Sequence, residues 1–396
     1  MTPRVLVVHN RYRSEFPSGE NQVVDGQIAL LRGAGVEAEA YIRSSDEIVD
    51  FSLGQRLELG VRPIYSREDV GNVDRIIDRF RPDIVHVHNV YPLISPAIVS
   101  RARSRGCRVV QTVHNFRHFC VASTFFRDGT ICMDCFGKRL PWPAVAHACY
   151  RGSRAQSLAL GTAITRHRKT WLQLDRFLAV SEFVAQILAD DGIAREQISV
   201  VPNFVPDPGP PLALGEGFLF AGRLGQEKGI GLLLDAWERS GLGDETELTI
   251  AGDGPERTAV ARASARLAGV RYVGPLTPEQ VRVHMQRSRS VVVPSIWFEG
   301  LPTVVLEAYA SGRPVVATKI GGLDALVTED VGWRAPADED GLAATLRRSL
   351  RDPAASTMGE HARARYLRHF TPSAVLAELL RVYESLASPS LRSPRH

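Results

Sequence analysis

Short apolar runs alternate along the chain with segments whose apolar positions recur every three or four residues. Such alternation predicts parallel sheets assembled from strand–helix–strand units. In the first half the runs place strands at 4–9, 36–42, 83–88, 108–113, 175–180 and 198–201. In the second half they place strands at 217–221, 247–251, 271–273, 290–294 and 314–317. Between the two sets lies Val205-Pro206-Asp207-Pro208-Gly209-Pro210-Pro211. Proline at that density continues neither a helix nor a central strand, so the run reads as a semi-rigid linker. Two domains follow, 1–205 and 217–370, joined through 206–216. Thr277-Pro278-Glu279-Gln280 combines a capping hydroxyl, a proline at the first helical position and a glutamine at the third, the signature of a helix start. A terminal helix is expected within 371–387, after Thr371-Pro372, and the tail 388–396 has nothing to bury and is expected to be disordered.

The length of 396 residues suits two domains of ordinary size, and 44% hydrophobic with 23% charged residues is a globular composition. No window is apolar for long enough to span a bilayer. Met1-Thr2-Pro3-Arg4 runs directly into a buried-type strand and leaves no room for a signal peptide, so a cytoplasmic location is expected, the inner face of the membrane included. The net charge of +4 says little by itself. Two clusters say more: Arg101, Arg103, Arg105 and Arg108, then Arg166, Arg168 and Lys169. They would suit anionic lipid headgroups or a pyrophosphate-linked acceptor, or they are solvated arginines of an Arg-rich chain.

Candidate chemistry gathers at strand ends. After the strand at 290–294 comes Glu299-Gly300-Leu301-Pro302-Thr303-Val304-Val305-Leu306-Glu307, with two carboxylates eight positions apart across a loop and a helix start. A helix N-terminus at the carboxyl edge of a parallel sheet suits anions, and carboxylates there suit sugar hydroxyls. The strand at 217–221 ends in Gly222-Arg223-Leu224-Gly225-Gln226-Glu227-Lys228-Gly229, whose two cations could neutralise a leaving diphosphate. Gly252-Asp253-Gly254-Pro255 follows the next strand; it lacks the third glycine of a dinucleotide fingerprint.

These motifs, in this order, resemble those of retaining glycosyltransferases of family 4. The resemblance implies an α/β chain of GT-B type, with two Rossmann-like domains whose parallel sheets face each other across a cleft. It implies that Arg223 and Lys228 meet the donor diphosphate, that Glu307 binds ribose hydroxyls and that Glu299 lies near the transferred sugar. Gly222, Gly252, Gly254, Pro255, Gly300 and Leu301 would complete the donor site. Family members often carry Glu-Gly-Phe-Gly where this chain has Glu-Gly-Leu-Pro; Pro302 lacks an amide hydrogen, which leaves the donor sugar open. The donor would be a nucleotide-diphosphate sugar, UDP- or GDP-linked ahead of ADP-linked. In the first domain Phe16-Pro17-Ser18-Gly19-Glu20-Asn21 is a partial match to the family's glycine-rich loop, with Gly19 toward the donor and Glu20 toward the acceptor. His88 and Asn89 are further acceptor-side candidates, and His86 reads as a core residue. His114 would position the donor sugar and polarise the transition state. Retention without a nucleophile is explained in this family by front-face attack, for which no carboxylate pair of the glycosidase kind is needed. No Asp-x-Asp with supporting context occurs, so no catalytic metal is expected. The acceptor would be a sugar, a lipid-linked molecule or a small molecule, and not nucleic acid. The alternatives are a nucleotide-sugar epimerase of related fold, or an inactive scaffold bearing a zinc-binding interaction module.

Four of five cysteines fall in one insert at 116–152: Cys120, Cys132, Cys135 and Cys149, with Cys132-Met133-Asp134-Cys135 as a tight pair. In a cytosolic chain four thiolates so spaced match a closed tetrahedral zinc site. Unligated thiols, disulfides and an iron–sulfur cluster are the other readings. The insert is poor in periodicity, so a metal could supply its order. Some family members carry a similar insert after the histidine.

Overall fold

Residues 2–15 and 18–387 are described by the computed structural model, so Met1, Phe16, Pro17 and the tail at 388–396 lie outside it. The chain divides into two units. Of the described residues, those within 2–125, 133–201 and 376–387 form unit 1, and 126–132 with 202–375 form unit 2.

Unit 1 is built on β1 (Val5–Arg11), β2 (Ala38–Ser44), β3 (Ile84–Val87) and β4 (Arg108–Val113). Next in the chain is a short hairpin, β5 (Phe126–Arg127) and β6 (Thr130–Ile131), which groups with unit 2. β7 (Arg176–Ala179) and β8 (Ile198–Val200) complete the first sheet, whose order is β2-β1-β3-β4-β7-β8. Every pairing in it is parallel. β3 is buried along its whole length, as a strand covered on both faces must be, and its one polar residue, His86, is hydrogen-bonded inside the core.

Unit 2 holds β9 (Phe218–Ala221), β10 (Leu248–Ala251), β11 (Val270–Gly274), β12 (Ser290–Val293), β13 (Val315–Thr318) and β14 (Gly332–Ala335). Its sheet is again all parallel, in the order β11-β10-β9-β12-β13-β14. Neither β14 nor the β5–β6 hairpin is among the strands expected above; each is short and interrupted by an arginine. Two-layered cores cover the sheet, one around Trp237, Leu248 and Ile250 and the other around Val291, Leu306 and Tyr309.

Both strand orders contain a point where successive connections leave in opposite directions. In unit 1 it lies between β1 and β3, and in unit 2 between β9 and β12. Connections diverge there and leave a crevice at the carboxyl ends of the strands, where open α/β sheets take ligands.

The proline-rich run is pinned to unit 2. Val205 N–H donates to the Phe370 carbonyl (3.3 Å), Tyr366 Oη donates to the Val205 carbonyl (3.1 Å) and Arg363 pairs with Asp207 (2.9 Å). The last helix, Pro372–Ala387, ends in unit 1, where Tyr383 Oη meets His86 Nδ1 at 2.6 Å.

Candidate functional site

In unit 2 the loops after β9 and β12 meet at the crevice. Lys228 Nζ lies 2.7 Å from Glu299 Oε1, and Ser295 Oγ donates to the same carboxylate oxygen at 2.7 Å. Lys228 also sits 5.1 Å from the centre of the Trp297 ring, a cation–π distance. The Glu299 side chain is 7% exposed. Burial pushes its pKa upward, but the Lys228 charge and the hydrogen bonds from Lys228 and Ser295 outweigh this and hold it below the usual glutamate value.

Close loop approach depends on glycine at two places. Gly229 has φ +68°, and a Cβ there would stand 1.9 Å from the Pro294 carbonyl oxygen. Gly252 has φ +144°, and its Cβ would stand 1.8 Å from the Gly222 carbonyl oxygen. No other residue fits either position, so the three loops after β9, β10 and β12 close on one another through bare backbone. Gly254 and Pro255 continue the turn after β10, and Leu224 N–H donates to the Asp253 carbonyl (2.8 Å).

Gly300 and Leu301 lead into the helix Thr303–Ala310, with Pro302 at its cap position and no side-chain cap bond, which leaves first-turn amides open. Glu307 lies on that helix, half-buried. Its carboxylate has no hydrogen-bond partner among the described residues, and burial alone raises its pKa. Arg223 is turned to Glu227 (2.9 Å) and is half exposed.

In unit 1 the crevice is walled by Glu20, His88, Asn89, His114, Asn115 and Arg117, among others. Gly19 opens the helix Gly19–Gly33 behind the capping Ser18. Glu20 Oε2 accepts from Asn115 Nδ2 (3.1 Å) and Tyr12 Oη (3.3 Å), while Oε1 is buried with no protein partner. Burial lifts the Glu20 pKa to about 7 against the downward pull of those hydrogen bonds and of Arg117. Asn89 is committed to its own loop, donating to the Asn10 and Tyr91 carbonyls (2.9 Å each) and accepting from Tyr91 N–H (3.1 Å).

A row of imidazoles runs through this crevice. His86 stacks on His88 with ring centres 4.3 Å apart, and His88 stacks on His114 at 5.2 Å. His88 Nδ1 and His114 Nε2 are 2.9 Å apart. Desolvation holds His114 and His86 at a pKa of about 3 and His88 well below its ordinary value, so all three are neutral at physiological pH. His86 is spent in the core, bonded to Tyr383 Oη and to Thr112 Oγ1 (2.7 Å), in keeping with its sequence reading.

Among the described residues no group of three His, Cys, Asp or Glu side chains stands as a metal ion would require, the zinc ligands expected at Cys120, Cys132, Cys135 and Cys149 included. Cys132 belongs with unit 2 and the other three with unit 1. Aromatic rings pack together within the insert. Phe116 and Phe125 lie 4.8 Å apart, Phe119 and Phe136 5.6 Å, and Phe125 and Phe136 5.9 Å, with Phe125 1% exposed.

Ser295, Trp297, Tyr12, Asn115 and Arg117 were not singled out in the sequence. Ser295 and Trp297 could have been, since both lie between a strand end and Glu299.

Known proteins resemble both units. The family profile described as Glycosyltransferase Family 4 matches residues 17–207, and that described as Glycosyl transferases group 1 matches 215–352. A glycogen synthase of Mycobacterium tuberculosis is 36% identical over 172 residues, 42% of this chain and 41% of that protein. A phosphatidyl-myo-inositol mannosyltransferase of Mycobacterium leprae is 29% identical over 202 residues, 50% of this chain and 53% of that one. The chain thus spans about half or less of the length of these curated relatives. Among solved structures, a sucrose-phosphate synthase of Thermosynechococcus elongatus superposes with a TM-score of 0.70 at 18% identity, covering 97% of this chain and 99% of that one. HepE of Anabaena, solved with UDP and glucose, superposes with a TM-score of 0.65 at 16% identity, covering 98% and 100%. Two all-parallel Rossmann-like units, each matched by a glycosyltransferase profile, place the chain in the family 4, group 1 glycosyltransferases of GT-B fold.

Proposed function

We propose that the chain transfers a sugar from a nucleotide-diphosphate sugar to an acceptor hydroxyl with retention of configuration, in the assembly of a polysaccharide or glycoconjugate. The unit 2 crevice takes the donor. Glu307 receives the ribose hydroxyls, Arg223 and Lys228 take the diphosphate, and Glu299 meets the sugar. The observation that carries this reading is the Lys228–Glu299 pair where the loops after β9 and β12 meet, with an unpartnered Glu307 on the helix that follows. The pair presents a cation and an acceptor together, and Glu307 keeps its acceptor capacity unspent.

The reaction needs charge stabilisation more than covalent chemistry. As the diphosphate leaves, negative charge grows on its oxygens, and Lys228 and Arg223 offset it without a catalytic metal. The acceptor hydroxyl attacks on the face the diphosphate leaves, and a phosphate oxygen takes its proton. His114, neutral, polarises and orients the reacting groups, while Glu20 binds an acceptor hydroxyl. HepE was solved with UDP and with UDP-glucose, which supports a uridine donor ahead of others.

A thermal-shift panel of UDP-, GDP- and ADP-sugars with Glu307→Ala alongside tests this. One nucleotide class should raise Tm in the wild type and not in the variant. Absence of any shift with folded protein would sink the donor assignment.

A further inference from the structure

Unit 1 has a second cavity, remote in character from the polar crevice. Phe119, Pro141, Ile164, Trp171, Leu172 and Leu188 give it apolar walls, and Lys138, Arg139 and Arg168 stand among its lining residues with one carboxylate, Asp191. Asp191 is taken up by Arg168, which donates to both its oxygens at 3.0 Å. Lys138 and Arg139 have no carboxylate partner among the described residues and are exposed.

Around this cavity the surface is apolar where water should favour polar groups. Leu140 is 49% exposed, Trp142 59%, Leu158 46% and Leu172 51%. Pro141 packs against the helix Arg154–Trp171 at Gly161, and Thr165 Oγ1 donates to the Arg139 carbonyl (3.1 Å). Those contacts bring the insert and the helix into one surface.

The charge of the same segment is lopsided. From 135 to 174 there are seven Lys and Arg and no Asp or Glu, in a chain whose net charge is only +4. The rest of the chain is therefore net negative. The tertiary structure also separates the two basic clusters. Arg101 pairs with Asp74, Arg103 and Arg108 with Asp175, and Arg105 with Asp78. In the second cluster only Arg168 is neutralised, while Arg166 and Lys169 are exposed without a carboxylate partner among the described residues.

We infer that this face of unit 1 docks on an anionic membrane, with Lys138, Arg139 and Lys169 on lipid phosphates and Leu140 and Trp142 entering the interface beside a cavity that takes a lipid chain. Cations that hold no counter-charge attract an anionic leaflet, at about 1 kcal/mol for each near the surface. Exposed tryptophan and leucine give the apolar contact that distinguishes lipid from a purely ionic partner. The inference is independent of the donor assignment.

Sedimentation of the full chain with phosphatidylcholine vesicles, and with phosphatidylcholine–phosphatidylglycerol vesicles, tests it. Binding should require the anionic lipid, fall with salt, and drop at least about tenfold in Lys138→Glu/Arg139→Glu. Trp142 fluorescence should be quenched by brominated lipid, and Leu140→Ser should weaken binding while circular dichroism is unchanged. Failure to bind anionic vesicles, or binding that ignores both variants, would overturn the inference. Preferential binding of single-stranded RNA, with Trp142 unquenched by brominated lipid, would overturn it too, as would equal displacement by inorganic phosphate at matched ionic strength.

Discussion

Lys228 and Glu299, 71 residues apart in sequence, form a 2.7 Å ion pair where the loops after β9 and β12 meet. Removing the cation in Lys228→Met leaves a buried carboxylate uncompensated. A loss of about 3 kcal/mol is expected in urea unfolding, at the low end for buried pairs because the lysine is partly exposed. The folded pKa of Glu299 lies below its unfolded value of 4.5, so its contribution is present above that pH and is lost as the pH falls through the folded value. Glu299→Gln should remove that acid-side loss and slow transfer about a hundredfold.

Glu307 behaves in the opposite sense. Its folded pKa is raised by burial, so its ionised form destabilises the fold as pH rises through that value. Glu307→Ala should therefore leave the empty protein as stable as the wild type or more so at pH 8, while abolishing the nucleotide-induced shift in Tm. A variant destabilised both empty and loaded would show that Glu307 serves the fold.

Glu20 titrates near neutrality, at about 7 against an ordinary 4.5. The stability it contributes is full below the unfolded value and is lost as the pH rises through about 7. Replacing it with glutamine should flatten the fall in Tm between pH 6 and 8 by the equivalent of about 1–3 kcal/mol. A parallel Tm–pH profile in both proteins would count against a lone buried carboxyl here.

His88 sets the tautomer of His114. One ring must donate across their 2.9 Å contact, and His88 Nε2 is buried with no protein partner. A proton there would be an orphaned buried donor, so it belongs on Nδ1, donating to His114 Nε2 and leaving His114 protonated at Nδ1. Long-range 1H–15N spectra should show that form of His114, retained in His88→Asn and lost in His88→Phe. Turnover should fall in His88→Phe with little change in donor binding. An Nε2-protonated His114 in the wild type would refute the assignment.

Much of the fold is legible in the chain because its central strands, β1, β9, β12 and β13 among them, are covered on both faces and read as apolar runs. The donor loops are legible for a related reason: Gly229 and Gly252 are demanded by backbone contact, and such glycines stand out beside cations and carboxylates. β14 was missed, since Gly332-Trp333-Arg334-Ala335 is short and carries a charge.

By itself, then, the sequence determined the two parallel sheets, the strand ends that bear chemistry, and the total of its charges, all of which follow from local pattern. Only the tertiary structure decided which strands lie side by side. That choice joined Lys228 to Glu299 and His88 to His114, and paired the first arginine cluster with carboxylates while leaving much of the second unmatched. It also packed the phenylalanines of the cysteine insert against one another. Each outcome rests on contacts between distant residues, whose geometry is set by sheet order and is absent from any local window.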